Sequence, residues 1–208
     1  MIHIDQKPEP IHFDAQVRQP GKAFLNRTPF PTNNDWQRHR YWKNCSLDLY
    51  NSYNGICAYT GIWFSKTAQT VSVDHFLPKS QYPEKAFEWD NYRLTTQIMN
   101  SNKGDRYIVD PFQIANGDIV LNFPSCLVHP RRDADAAYKS KLDSTITILK
   151  LNEEDEVTRR FEIIMEYISG NCSLGYLKRK YPFIASEIER QNLSDTLGNY
   201  FKHYNIAG

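Results

Sequence analysis

Between residues 68 and 104 three short stretches follow one another and leave the backbone little choice. Val71 and Val73 alternate with Thr70 and Ser72. That is the two-residue period of a half-buried strand, and Pro78, which has no N–H to give to a ladder, stops it. Residues 92–96 read as a second strand, with residues 81–91 as the loop between. Residues 97–103 then predict a short helix closed by Gly104, because glycine turns sharply after a last helical residue without steric cost. A hairpin followed at once by a helix points to an α+β fold.

The flanks read differently. Pro8, Pro10, Pro20, Pro29 and Pro31 crowd the first 35 residues, and proline removes donors and restricts the residue before it, so residues 1–34 are expected to form an extended arm. Over residues 35–53 proline and glycine are absent, and Trp36, Tyr41, Leu47 and Tyr50 lie at near-helical spacing behind a cap at Asn34 or Asp35, which predicts a helix. Residues 118–123 suggest a strand between turns at Pro111, Asn116-Gly117 and Pro124. Helices are expected over 137–149, 154–168 and 185–204. The expected organisation is an arm (1–34), a helix packing on the core (35–54), the core (55–110), and connecting loops with a C-terminal helical region (111–208). The strand–strand–helix core would thus be embedded in a mainly helical domain.

A chain of 208 residues suits one buried domain, or a small catalytic unit with helical additions, better than two large independent domains. With 40% hydrophobic and 24% charged residues, neither disorder nor a fibrous architecture is indicated. The net charge of +1 argues against a protein that coats nucleic acid by bulk electrostatics, but it leaves room for local patches. Arg38/Arg40/Lys43, Arg131/Arg132, Arg159/Arg160 and Lys178/Arg179/Lys180 are the candidates; each alone reads as an ordinary solvated face. Cys45, Cys57, Cys126 and Cys172 are widely spaced, as free thiols in a reducing cytoplasm would be. No run approaches the roughly 18 apolar residues of a membrane span, and the start has no signal-like region, so a cytoplasmic, membrane-free chain is expected.

The chemistry concentrates in Val73-Asp74-His75-Phe76-Leu77-Pro78-Lys79-Ser80, Trp89-Asp90-Asn91-Tyr92-Arg93-Leu94 and Asn100-Ser101-Asn102-Lys103-Gly104-Asp105. Singly, an Asp-His pair is commonly a capped turn, and a lone asparagine a turn or cap residue. In this order and spacing, the set resembles the HNH endonuclease family, whose ββα-metal centre hydrolyses phosphodiesters. The resemblance implies that Asp74 and the Asn100 side-chain oxygen ligate one divalent cation, with Asn102 the rival for the second place. These are hard donors, suited to Mg²⁺ or Mn²⁺. With one anionic ligand the ion stays largely hydrated, and it is held firmly only with phosphate present. His75 is implied as general base, since a neutral imidazole accepts a proton from the attacking water. The family assigns Asn91 to hold the other ring nitrogen, and Lys103, one turn after Asn100, would face the phosphate.

Many relatives surround this centre with a zinc knuckle of two Cys-x-x-Cys pairs. Here the corresponding stretches read Cys57-Ala58-Tyr59-Thr60 and Thr96-Gln97-Ile98-Met99, which leaves one thiol of four, so no structural zinc is expected and packing must replace it. A wider similarity takes in Lys7-Pro8-Glu9-Pro10, Cys57-Ala58-Tyr59, and residues 145–152 followed by Arg159. These look like the HNH subunits of Septu-type antiviral systems, retron-associated forms included. That implies an ABC-like or SMC-like ATPase partner and a role in defence against phage. Two rivals remain: a catalytically silent nucleic-acid-binding or assembly subunit that keeps the scaffold, and a zinc-organised adaptor disfavoured by the missing thiols.

Overall fold

The computed structural model describes residues 1–202. The architecture is α+β, with helices beside two separate two-stranded antiparallel sheets. The chain divides into two compact units, one of residues 5–58 with 64–107, the other of residues 1–4 with 59–63 and everything from residue 108 onward.

In the first unit, a π-helical turn at Asp14–Arg18 runs into α1 (Gln19–Arg27), where an extended arm was expected. Pro20 does not prevent this: it follows the π-helical turn, whose wider ladder has the Gln19 N–H bonded to the Asp14 carbonyl, and its fixed φ is already helical. The helix expected over 35–53 is three pieces: α2 (Asn33–Arg38), a 3₁₀ turn at Tyr41–Cys45, and α3 (Ser46–Ser52). Thr32, rather than Asn34 or Asp35, is the cap; its side chain accepts from the Asp35 N–H while Asp35 bonds back to the Thr32 N–H. His39 and Arg40 leave helical geometry, with ψ of 50° and 51°. The break lets Trp36 and Trp42 enter one aromatic cluster, each about 6 Å from the Phe87 ring and 6.4 Å from one another. Burying such rings outweighs a few lost helical hydrogen bonds.

Strands β1 (Val71–His75) and β2 (Tyr92–Thr96) pair antiparallel, Val71 opposite Thr96 and His75 opposite Tyr92. Helix α4 (Gln97–Lys103) follows without a loop, capped by Thr96 Oγ1, which accepts from the Met99 N–H. It closes at Gly104, whose φ of 54° and ψ of −135° lie where only glycine is comfortable. The second strand and this helix have the bounds the sequence predicted.

In the second unit, β3 (Ile119–Asn122) pairs with β4 (Leu127–Pro130), a strand the sequence did not announce. Helices α5 (Ala136–Ile148) and α6 (Glu154–Ile168) follow close to expectation, and α7 (Leu174–Lys180) was unforeseen. The helix expected over 185–204 is α8 (Pro182–Arg190) and then a separate 3₁₀ turn at Leu197–Phe201. Asn192, at φ 55°, reverses the chain between them; residues 203–204 of that expectation lie outside the described residues. Buried charge ties the hairpin down. Arg160 donates to the Cys126 and Leu151 carbonyls at 2.7 Å each, and Glu187 accepts from the Leu121 N–H at 2.9 Å. Among the described residues no helix is long and apolar enough to cross a membrane.

Candidate active site

The pairing of β1 with α4 builds one side of a cleft of about 710 Å³ that lies wholly within the first unit. Strand β1 brings Asp74 and His75 to it, and α4 brings Asn100. Asn100 and Lys103 are three residues apart on the helix and so share a face, and both reach toward β1. Asn100 Nδ2 donates to Ser72 Oγ at 2.7 Å and to the Val73 carbonyl at 3.5 Å. With the nitrogen so engaged, Oδ1 is the atom left to accept or to ligate. Asn102, the rival ligand, does not line the cleft.

His75 sits against Trp42 and Tyr92, edge to face, with ring centroids 4.8 and 5.3 Å away. Its Nε2 lies 2.9 Å from the Ala86 carbonyl oxygen, an acceptor that Tyr92 Oη also uses. A carbonyl cannot donate, so Nε2 carries the hydrogen and Nδ1 keeps its lone pair. Nδ1 has no hydrogen-bond partner among the described residues, and His75, 6% exposed, lines the cleft. Burial, helped by the charge of Lys79, pushes the imidazole down to about 3. The ring is therefore neutral at any physiological pH.

The orienting task expected of Asn91 thus falls to a backbone carbonyl. Asn91 instead clamps the loop that carries it. Its Oδ1 accepts from the Leu77 N–H at 2.7 Å, and Nδ2 donates to the carbonyls of Leu77 and Lys85, each at 3.0 Å. Lys85 directly precedes Ala86, so Asn91 acts on His75 at one remove.

Lys103 is also not where it was expected. The side chain is fully buried, and Nζ donates to Asp74 Oδ1 at 3.2 Å, to the His75 carbonyl at 2.9 Å and to the Gly104 carbonyl at 3.4 Å. It supports the carboxylate from inside the protein and does not meet ligand. An Asn-x-x-Lys spacing fixes a shared helix face but not which side chain that face hides. Among the cations that line the cleft is Lys79, whose Nζ stands 5.6 Å from the Trp42 ring centroid. Burial lowers its proton affinity, an effect partly opposed by Asp105 and Asp74. Lys79 lay inside the stretch that carries the resemblance, but its residue type alone gave no role. Ser72 and Ala86, which set Asn100 and His75, had no signal beyond strand alternation and loop membership.

Cys57 is buried, with Sγ 3.5 Å from Thr95 Oγ1. Thr96 is occupied as the α4 cap, and Met99 lies in the core. Among the described residues no group of three or more His, Cys, Asp or Glu is arranged to hold a metal. The candidate ligand set is two oxygens, one from Asp74 and one from Asn100. Neither a protein-family model nor a curated protein matches the chain.

Proposed function

We propose that this cleft hydrolyses phosphodiester bonds in nucleic acid, as a metal-dependent endonuclease of the HNH type with a ββα-metal core formed by β1, β2 and α4. The observation that carries the reading is the His75 ring, protonated at Nε2 by its bond to Ala86, with Nδ1 unengaged, in a residue that lines the same cleft as Asp74 and Asn100. A carboxylate oxygen and an amide oxygen on one cleft fit a hard divalent cation, Mg²⁺ or Mn²⁺, completed by water. When bound, such an ion supplies Lewis acidity to the phosphate and the departing oxygen.

The chain's own residues do the rest. His75 Nδ1 accepts the proton of the attacking water, and the Ala86 carbonyl holds the imidazolium that results. The low proton affinity belongs to the cleft without substrate; a phosphodiester anion beside the ring favours the charged form and raises it. Asn91 keeps the loop, and so the carbonyl, in place. Lys103 pairs with Asp74 from inside the protein, which offsets the cost of burying the carboxylate. The wider similarity supports a place as effector nuclease of an anti-phage system, working with an ABC-like or SMC-like ATPase.

Incubation with DNA and with total RNA, in Mg²⁺ or Mn²⁺ and in EDTA, tests the reading, both alone and with the neighbouring gene product. Metal-dependent cleavage should fall at least about a hundredfold in His75→Ala, the scale of a lost general base. Cleavage unaffected by the substitution would remove His75 from the chemistry. A second reading, a catalytically silent nucleic-acid-binding or assembly subunit, draws on the Lys103 ammonium that already engages Asp74. It predicts nucleic-acid binding with no cleavage under any of these conditions.

A further inference from the structure

The four basic patches of the sequence are not equivalent in the fold. Arg131 pairs with Asp118, Arg159 with Glu156 and Lys178 with Glu189. By contrast, Arg40 and Lys43 are exposed, line the cleft and have no carboxylate in ion-pair range among the described residues. Nor has Lys79. Arg40 Nε donates to the Gln37 carbonyl, which fixes the direction of its guanidinium. The carboxylates of the cleft are already engaged: Asp74 with Lys103, Asp105 with the Ser80 hydroxyl at 2.6 Å. Asp105 keeps its negative charge near Lys79, so Arg40, Lys43 and Lys79 outnumber the one carboxylate without an ion pair and the cleft is net positive.

The reactive groups are recessed. Asp74 is 2% exposed and His75 6%, so a phosphate must enter between the walls to reach Nδ1. The cleft, about 710 Å³, is on the scale of pockets that enclose one small ligand, roughly 300–1,000 Å³. A flexible single strand can feed a phosphate down to groups this recessed, whereas a duplex is a stiff stack that would have to deform to do so. We propose that the cleft takes one polynucleotide strand at a time, with Lys79 meeting the phosphate under attack and Arg40 and Lys43 holding the neighbouring phosphates. This rests on the phosphodiesterase reading above and adds to it the class of substrate and the residues that select it.

Binding tests it without catalysis. Fluorescence anisotropy in EDTA is measured for a labelled short oligothymidylate and for a labelled duplex of equal length, over a range of salt. The single strand should bind about tenfold tighter than the duplex. Arg40→Gln/Lys43→Gln, changed only at exposed positions, should lower the salt slope for the single strand by about 1.4, at about 0.7 for each phosphate left without its cation. Lys79→Met should lower it by about half that amount, with circular dichroism confirming its fold. Equal or tighter duplex binding, an unchanged slope in the double variant, or no binding of either probe overturns the proposal. Hydrolysis of bis(p-nitrophenyl) phosphate by wild type and His75→Ala separates the two claims. Strand binding as expected without His75-dependent hydrolysis sinks the catalytic reading and leaves the strand track standing.

Discussion

At the scale of single residues, the site depends on a buried imidazole and a buried ion pair. His75 is held about 3 in the fold against an ordinary value of 6.5. Because the folded value is the lower one, protons bind the unfolded chain first. The stability His75 contributes is therefore complete above about pH 6.5 and is lost as the pH falls toward 3, by at most roughly 1.4 kcal/mol per pH unit. Urea unfolding in EDTA across that range should show this acid limb in wild type and a shallower one in His75→Gln; equal limbs would mean the ring is not the group concerned. Lys103 and Asp74 behave as a pair. Lys103→Met leaves a buried carboxylate without its cation, at a cost of roughly 3–5 kcal/mol. Adding Asp74→Asn should recover part of that loss, and a double-mutant cycle showing simple additivity would contradict the ion pair. The identities of Asp74, His75 and Asn100 as cleft residues were legible in the sequence. The partner of the His75 ring was not, because a main-chain carbonyl belongs to every residue and marks none.

Elements were legible where local signals and tertiary packing agreed. Alternation, Pro78 and Gly104 gave β1, β2 and α4, and apolar spacing gave α5 and α6. The failures have packing reasons. Pro20 hid α1, and the demand to bury Trp36 and Trp42 together broke the helix expected over 35–53. Gly21 illustrates the same conflict. A Cβ there would stand 2.2 Å from Phe87 Cγ. Alanine gains about 1 kcal/mol of helix propensity over glycine, and overpacking costs roughly 1–3 kcal/mol, so Gly21→Ala should lower the Tm. A rise would show that α1 does not press on Phe87 so closely. Gly104 is constrained by backbone alone. The nearest atom to an added Cβ is 3.9 Å away, yet its φ and ψ exclude side chains. Gly104→Ala should cost roughly 1–3 kcal/mol. Gly104→Asn should not recover it, since a ψ of −135° lies outside the left-handed helical region that asparagine tolerates.

For the molecule as a whole, net charge is the governing quantity. A chain at +1 has no broad field to draw nucleic acid in, and whatever affinity it has must come from a few side chains. Three neutralised phosphates give a salt slope near 2, so single-strand affinity should fall roughly 20-fold between 50 and 200 mM salt. A protein that neutralises many phosphates would weaken far more over the same interval, and a much steeper fall would point to cations outside the cleft. The division into two compact units was not legible, because short segments near residues 1–4 and 59–63 join the C-terminal unit, and no local pattern marks where a chain changes partners.

The hydrogen bond from His75 to Ala86 has a genetic implication. Its acceptor survives every side-chain replacement at position 86, so a loss-of-function screen would be blind to the atom itself. Under the proposed phosphodiesterase reading, inactivating changes would surface instead at positions that steer the path of the chain through it, Asn91 foremost, and would look remote from the proposed chemistry.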